Sequence, residues 1–215
     1  MNEKPIIVFD LETGGLDTQT CEILQIAAIA LDPITLEQYS GAEFNQEIQP
    51  FDRNNVGAKA LEVNKKDLDK LMTMPLLTQV WPRFVDFVQS YNKSKTKSNY
   101  QAPIAAGKNI EGFDLPIIER LCHKYGPIDK KNDKQSLFSQ REILEFEKIL
   151  WMWFEGSNEL PSYQMDDILP YFGIVSTGAH DALVDVKNTA KLIVRFMKFH
   201  RAQASKTKFK DSFCG

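Results

Sequence analysis

The apolar positions of this chain change rhythm along its length. Ile6-Ile7-Val8-Phe9 and residues 24–31 form near-continuous apolar runs, which predicts strands buried on both faces. The first strand is expected over residues 5–12. Residues 36–49 alternate more loosely and predict a third strand ending at Pro50. Gly14-Gly15 and Asp32-Pro33 supply turn residues between the runs, and such short connections favour antiparallel pairing.

Beyond this point the period becomes helical. Over residues 78–91, Val80, Phe84, Val85, Val88 and Tyr91 fall on one face, with Pro82 expected in the first turn. Ile104-Ala105-Ala106 reads as a short strand. Residues 115–125 read as a helix stopped by Gly126-Pro127. Helices are also expected over 141–154, over 163–171 with Gly173 as the stop, and over 182–199. The polar stretches 92–99 and 129–135 read as loops. Residues 1–200 form one domain on this reading, and 201–215 form a basic, flexible tail. Strands first, then alternating helices and strands, predict an α/β domain with a mixed sheet.

Composition narrows the class. A chain of 215 residues that is 43% hydrophobic, with fourteen phenylalanines, builds a sizeable core. A net charge of -3 argues against a general nucleic-acid coat protein, which is usually basic. Cys21, Cys122 and Cys214 lack CxxC spacing and are expected to be reduced thiols with no zinc site. No apolar run reaches membrane-spanning length, and the start of the chain carries no secretory leader pattern. An intracellular, cytoplasmic location follows as an expectation, with the nucleoid or nucleus as alternatives.

Four carboxylates and one histidine then stand out. They are Asp10 and Glu12 in Phe9-Asp10-Leu11-Glu12-Thr13-Gly14, Asp114 in Asn109-Ile110-Glu111-Gly112-Phe113-Asp114, and His180 with Asp185 in His180-Asp181-Ala182-Leu183-Val184-Asp185. Residues two apart on a strand share a face, so Asp10 and Glu12 repel each other there unless a cation neutralises them. Taken alone, the pair also reads as solvated acids at a strand exit. Asp114 before Leu115-Pro116 also reads as a helix N-cap with a first-turn proline. His180 and Asp185 would diverge by about 140° on one helix. They share a site only if His180 lies in the loop before the helix, with Asp181 as N-cap and Asp185 near the helix start. Leu183, Val186, Ala190, Ile193, Val194 and Met197 then form the core stripe, and Asp185 sits at the edge of the buried surface. Lys187, Lys191, Arg195 and Lys198 form a basic stripe on the other flank, either a solvated face or a strand guide. The lysines at 93, 95, 97, 206, 208 and 210 carry the same alternatives. His123 and His200 lack an acidic motif and are assigned to structure or surface. Trp81, Trp151 and Trp153 are expected in the core, with a cleft-facing position as the alternative for one of the last pair.

Together the three motifs resemble the DEDDh branch of the DEDD exonucleases, the DnaQ-like family of proofreading ε subunits, ribonuclease T and oligoribonuclease. Asp10, Glu12, Thr13 and Gly14 match the first family motif. Asn109, Phe113 and Asp114 match the second, and His180, Ala182 and Asp185 the third. Residues 60–71 and Pro75 look like the family's segment after the third strand. Lys108 departs from the pattern, since the family often has histidine there, and 92–101 and 129–135 look like local expansions. The resemblance implies a ribonuclease H-like fold, a central mixed five-stranded sheet flanked by helices. It implies a 3′→5′ exonuclease that releases nucleoside 5′-monophosphates.

On the same resemblance, Asp10, Glu12, Asp114 and Asp185 hold two divalent cations, with Asp10 bridging. Carboxylate-only ligation favours Mg2+ or Mn2+ over zinc. His180 is the general base. Thr13, Gly14 and Leu16 contact the terminal nucleotide, and Asn109 and Phe113 shape its pocket. The expected partners are single-stranded DNA or RNA 3′ ends, with DNA slightly favoured, and a polymerase or repair complex, with no membrane. Two other functions compete: a 3′→5′ exoribonuclease or oligoribonuclease, and a catalytically silent nuclease fold used for interaction.

Overall fold

The computed structural model describes residues 4–93, 101–176 and 181–206. Strands β1 (Ile6–Thr13), β2 (Ile23–Leu31) and β3 (Gln38–Glu47) come first. A 3-10 turn (Arg53–Asn55) and the helices α1 (Ala58–Val63), α2 (Leu68–Leu71) and α3 (Leu77–Ser90) follow. Next are β4 (Ile104–Gly107), α4 (Asp114–Tyr125) and a small hairpin of β5 (Ile128–Asp129) and β6 (Lys134–Gln135). The chain then runs through β7 (Ile143–Glu145), α5 (Phe146–Phe154), α6 (Met165–Tyr171) and α7 (Ala182–Lys206).

The main sheet has the order β3-β2-β1-β4-β7. β1 pairs antiparallel with β2, and β2 with β3, as the short connections require. β1 and β4, and β4 and β7, run parallel. This is the mixed five-stranded, ribonuclease H-like sheet expected from the motifs. Side-chain alternation on β1 divides the core. Ile7, Phe9 and Leu11 pack with Val80, Trp81 and Phe84 of α3 and Ile117, Ile118 and Leu121 of α4. Ile6 and Val8 face the opposite way, toward Phe146 and Leu150 of α5, Ile168 of α6 and Val186 and Ile193 of α7. All nine residues of β2 are buried, which explains its unbroken apolar run.

Several expectations are corrected. The helix predicted over 141–154 begins as strand β7, paired with Ala105–Gly107 through only three residues, too few for a period to show. The 129–135 segment contains the β5–β6 hairpin, closed by Asp133 in the left-handed region (φ 51). Pro82 lies past the first turn of α3, which starts at Leu77. Burial of Val80, Trp81, Phe84 and Val88 holds that helix despite the missing N–H, and the Trp81 indole donates to the Gly126 carbonyl at 2.8 Å. Trp81 is buried, but Trp151 and Trp153 are 60% and 42% exposed, and the Trp153 ring lies against Phe196 and Phe199 of α7, lining a cavity with Phe172. Helix α7 continues past Phe199 to Lys206, where Arg201 donates to the carbonyls of Pro33 and Ile34, each at 2.7 Å. Residues 201–206 are thus helical turns, and 207–215 lie outside the described residues, as do 94–100. Cys21 and Cys122 are buried free thiols. No helix among the described residues is long and apolar enough to cross a membrane.

Candidate active site

Asp10 and Glu12 continue the Ile6–Val8 face of β1, the face on which α7 packs. β4 pairs only with Ile6 to Val8, so beyond Val8 that edge of β1 is open. The loop from β4 to α4 fills the gap. It leaves β4 at Gly107, where an added Cβ would lie 2.4 Å from Ile110 Cγ2 and 3.0 Å from the Phe9 carbonyl oxygen, so only glycine fits. Asn109 follows in the left-handed region (φ 59). The loop is gripped by Glu145 at the end of β7. Its buried carboxylate accepts the backbone N–H groups of Asn109 (2.7 Å) and Glu111 (3.0 Å).

This loop delivers Asp114, which is 3% exposed, and its Oδ1 accepts the Leu11 N–H at 2.9 Å. The cap position of α4 belongs to Phe113, not Asp114. Asp114 is the first helical residue, where the helix dipole favours its negative charge. Asp181 caps α7 as expected: its Oδ1 accepts the Leu183 N–H and its carbonyl the Asp185 N–H, each at 3.0 Å. Asp185 therefore lies in the first turn of α7. His180 lies outside the described residues, immediately before Asp181.

These carboxylates feel one another. Burial, then the charge of Asp185, pushes the Asp10 carboxyl up to about 7, against the opposing Lys108 ammonium. Burial, then Asp10 and Asp185, pushes Glu12 to about 8, with Lys66 opposing. Burial and the Asp10 charge hold Asp114 well above the usual carboxylate range, although the Leu11 N–H favours its charged form. Both lysines have other partners. Lys66 Nζ lies 2.6 Å from Gln25 Oε1 and 3.0 Å from Glu47 Oε1, and Lys108 Nζ lies 3.8 Å from Glu147. Among the described residues, no three histidine, cysteine, aspartate or glutamate side chains already converge on one metal position. The donor chemistry nonetheless fits hard divalent cations: oxygen ligands only, crowded, and reluctant to ionise without added positive charge.

A cavity of about 390 Å³ opens beside Glu12. Thr13, Gly14, Leu16 and Phe113 line it together with Lys59, Val63 and Asn64. Leu16 is 89% exposed at the loop tip. Asn109, named with these residues from the sequence, does not line the cavity. Gly14 is where the motif loop meets the segment before α1: its carbonyl accepts the Gly57 N–H at 2.8 Å, and an added Cβ would come within 3.2 Å of Val56 Cα. Asn64 donates to the Thr13 carbonyl at 3.0 Å. Sequence reasoning missed Asn64, Lys66 and Glu145. Asn64 and Lys66 fall in the 60–71 segment that resembles the family. Glu145 had no local signal, because it sits where a helix was expected. Two members of the basic stripe on α7 are engaged by the protein itself: Lys187 pairs with Glu43 at 2.7 Å, and Arg195 donates to the Phe172 carbonyl at 2.5 Å.

A family model described as exonuclease matches residues 7–193. The chain belongs to this exonuclease family, the DnaQ-like, DEDDh group. A curated relative, the DNA polymerase III PolC-type of Caldanaerobacter subterraneus subsp. tengcongensis, is 20% identical over 196 residues, 91% of this chain and 12% of that protein. Among solved structures, E. coli exonuclease I in complex with a dT13 oligonucleotide matches at a TM-score of 0.69 and 18% identity, over 88% of this chain and 40% of that one. Cell-death related nuclease 4 matches at 0.69 and 16%, over 92% of this chain and 64% of that one. The chain thus spans less than two thirds of each of these relatives, and the structural likeness establishes the fold.

Proposed function

We propose that this exonuclease domain is a metal-dependent 3′→5′ exonuclease acting on single-stranded nucleic acid, DNA in preference to RNA, and releasing nucleoside 5′-monophosphates. One observation carries this reading. Asp10, Glu12 and Asp114, from two separate segments, are held near one another and near Asp185, with ionisation so hindered that added cations are the natural complement. All four acids and His180 are present, which disfavours the silent-module alternative. The preference for DNA is supported by the fold shared with exonuclease I bound to dT13. A polymerase link is in keeping with the PolC-type relative.

Asp10, Glu12, Asp114 and Asp185 would hold Mg2+ or Mn2+, which when bound supplies an activated water and charge stabilisation at the leaving oxygen. Among the chain's own groups, Asp114 ties the β4–α4 loop to β1 through the Leu11 N–H and so orients the carboxylates toward one another. His180, just before the Asp181 cap, accepts a proton at a ring nitrogen as general base. Leu16 wedges against the terminal base, Thr13 and Gly14 bring backbone close to the nucleotide, and Phe113 lines the same cavity.

The test is digestion of matched, 5′-labelled DNA and RNA oligonucleotides with Mg2+ or Mn2+, comparing wild type with Asp10→Ala and His180→Ala. The expected products are 5′-mononucleotides released from the 3′ end, faster from DNA. Asp10→Ala should abolish activity, and His180→Ala should lower it about 10²–10⁴-fold. Undiminished activity in Asp10→Ala sinks the reading.

A further inference from the structure

The β1–β2 loop separates two cavities. Gly14 to Leu16 line the one beside Glu12, and Gln19 to Glu22 line another of about 550 Å³. The second cavity is walled by α4 and by the start of α3. Arg120 and Lys124, one turn apart on α4, share a face there. Arg120 donates to the Cys21 carbonyl at 2.9 Å, while its Nε is buried with no hydrogen-bond partner. Lys124 lies 5.1 Å from the centre of the Tyr125 ring and makes no ion pair among the described residues. Phe51, on the rim, is 91% exposed, and Tyr125 is 38% exposed. Two acids lie close by, Glu22 on the lining and Asp17 within electrostatic reach of Arg120. Glu22 accepts the N–H groups of Phe51 and Asp52 at 2.9 and 3.1 Å, and Asp17 accepts from Gln19 and Thr20. The cavity thus sets two cations, against the single lining carboxylate of Glu22, beside exposed aromatic rings. That combination suits a phosphodiester backbone with unstacked bases. Arg120 is about 9 Å along the helix axis from Asp114, so one strand can reach both.

We propose that this cavity is a subsite for the single strand upstream of the terminal nucleotide. Arg120 and Lys124 take a phosphate, and Phe51 stacks on a base. The inference rests on the nuclease reading above but is tested apart from it, by binding without catalysis. The probe is a fluorescein-labelled 12-nucleotide oligothymidylate in EDTA buffer, followed by anisotropy. Phe51→Ala and Lys124→Glu should each weaken binding about 10-fold, with unchanged melting temperatures, and Lys124→Arg should retain it. Lys124→Glu should also reduce the salt slope by about one. In the digestion assay, the penalty of each variant should be larger for a 12-mer than for a dinucleotide. Wild-type affinity in both variants, or no measurable 12-mer binding by the wild type, overturns the subsite. Absence of nuclease activity with normal strand binding would instead count against the catalytic reading alone.

Discussion

Asp114 accepts the backbone N–H of Leu11 at 2.9 Å, across the point where β4 stops pairing with β1. One side chain thus serves as an edge partner for the central strand and as a member of the acidic cluster. The two roles are separable. Asp114→Asn keeps an acceptor for Leu11, whereas Asp114→Ala leaves a buried N–H unsatisfied, at about 1–3 kcal/mol. In metal-free melts the alanine variant should unfold roughly 2–10 °C below the asparagine variant. Both should lose at least about 100-fold in exonuclease activity at neutral pH. Equal melting temperatures would show that the Leu11 contact contributes nothing.

Stability without metal should depend on pH in a defined direction. Unfolded carboxyls ionise near 4, whereas folded Asp10 keeps its proton up to about 7 and Glu12 up to about 8. Between those limits the folded state binds more protons than the unfolded state, so stability falls as pH rises from about 4 to about 8 and then levels off. Differential scanning fluorimetry in EDTA should show this fall, reduced in Asp10→Asn. Mn2+ at pH 8 should reverse it, by about 2.7 kcal/mol at 100 times the dissociation constant. A pH-independent melting temperature in EDTA would contradict the acidic-cluster account.

Glu145 should act on the site from a distance. It touches none of the acids, yet its carboxylate holds the Asn109 and Glu111 N–H groups and so sets the loop that carries Asp114. Glu145→Ala is expected to weaken Mn2+ binding about 10–100-fold, as loss of outer-shell support commonly does. Glu145→Gln, keeping one acceptor oxygen, should fall between. Isothermal titration with Mn2+ decides, and wild-type affinity in Glu145→Ala would reduce the residue to a purely structural role.

Leu16 offers the converse case. Being 89% exposed, it contributes little to the fold, so Leu16→Ala should leave the melting temperature unchanged. If it wedges against the terminal base, KM for a single strand should rise about 10-fold with kcat little altered. Steady-state kinetics on a labelled oligonucleotide would show the split.

Gly107→Ala tests the loop from the backbone side. The added methyl would meet Ile110 Cγ2 at 2.4 Å and the Phe9 carbonyl at 3.0 Å, so either the loop or β4 must move. Overpacking of this kind costs about 1–3 kcal/mol, and activity should fall with stability. A variant as stable and active as the wild type would mean that the loop has slack the packing does not suggest.

Much of this protein was legible in its sequence because the signals are local. β1 and β2 follow from apolar runs, α4 from its period and the Gly126-Pro127 stop, and the α7 start from Asp181. Alternation alone puts Asp10 and Glu12 on one face. Where the structure departed, the deciding contacts were remote. β7 is three residues long and exists as a strand only because β4 lies beside it. Trp151 and Trp153 are outside because α5 buries Phe146 and Leu150 instead. Arg201 carries α7 past Phe199 by reaching the β2–β3 turn. The sequence by itself determined which residues are candidates for the chemistry and which faces they share, since side-chain type and period are local properties. Only the tertiary structure decided that Asp114 closes the open edge of β1 and that Glu145 holds its loop. Those bonds join residues 103 and 36 positions apart, and chain packing alone brings such partners together.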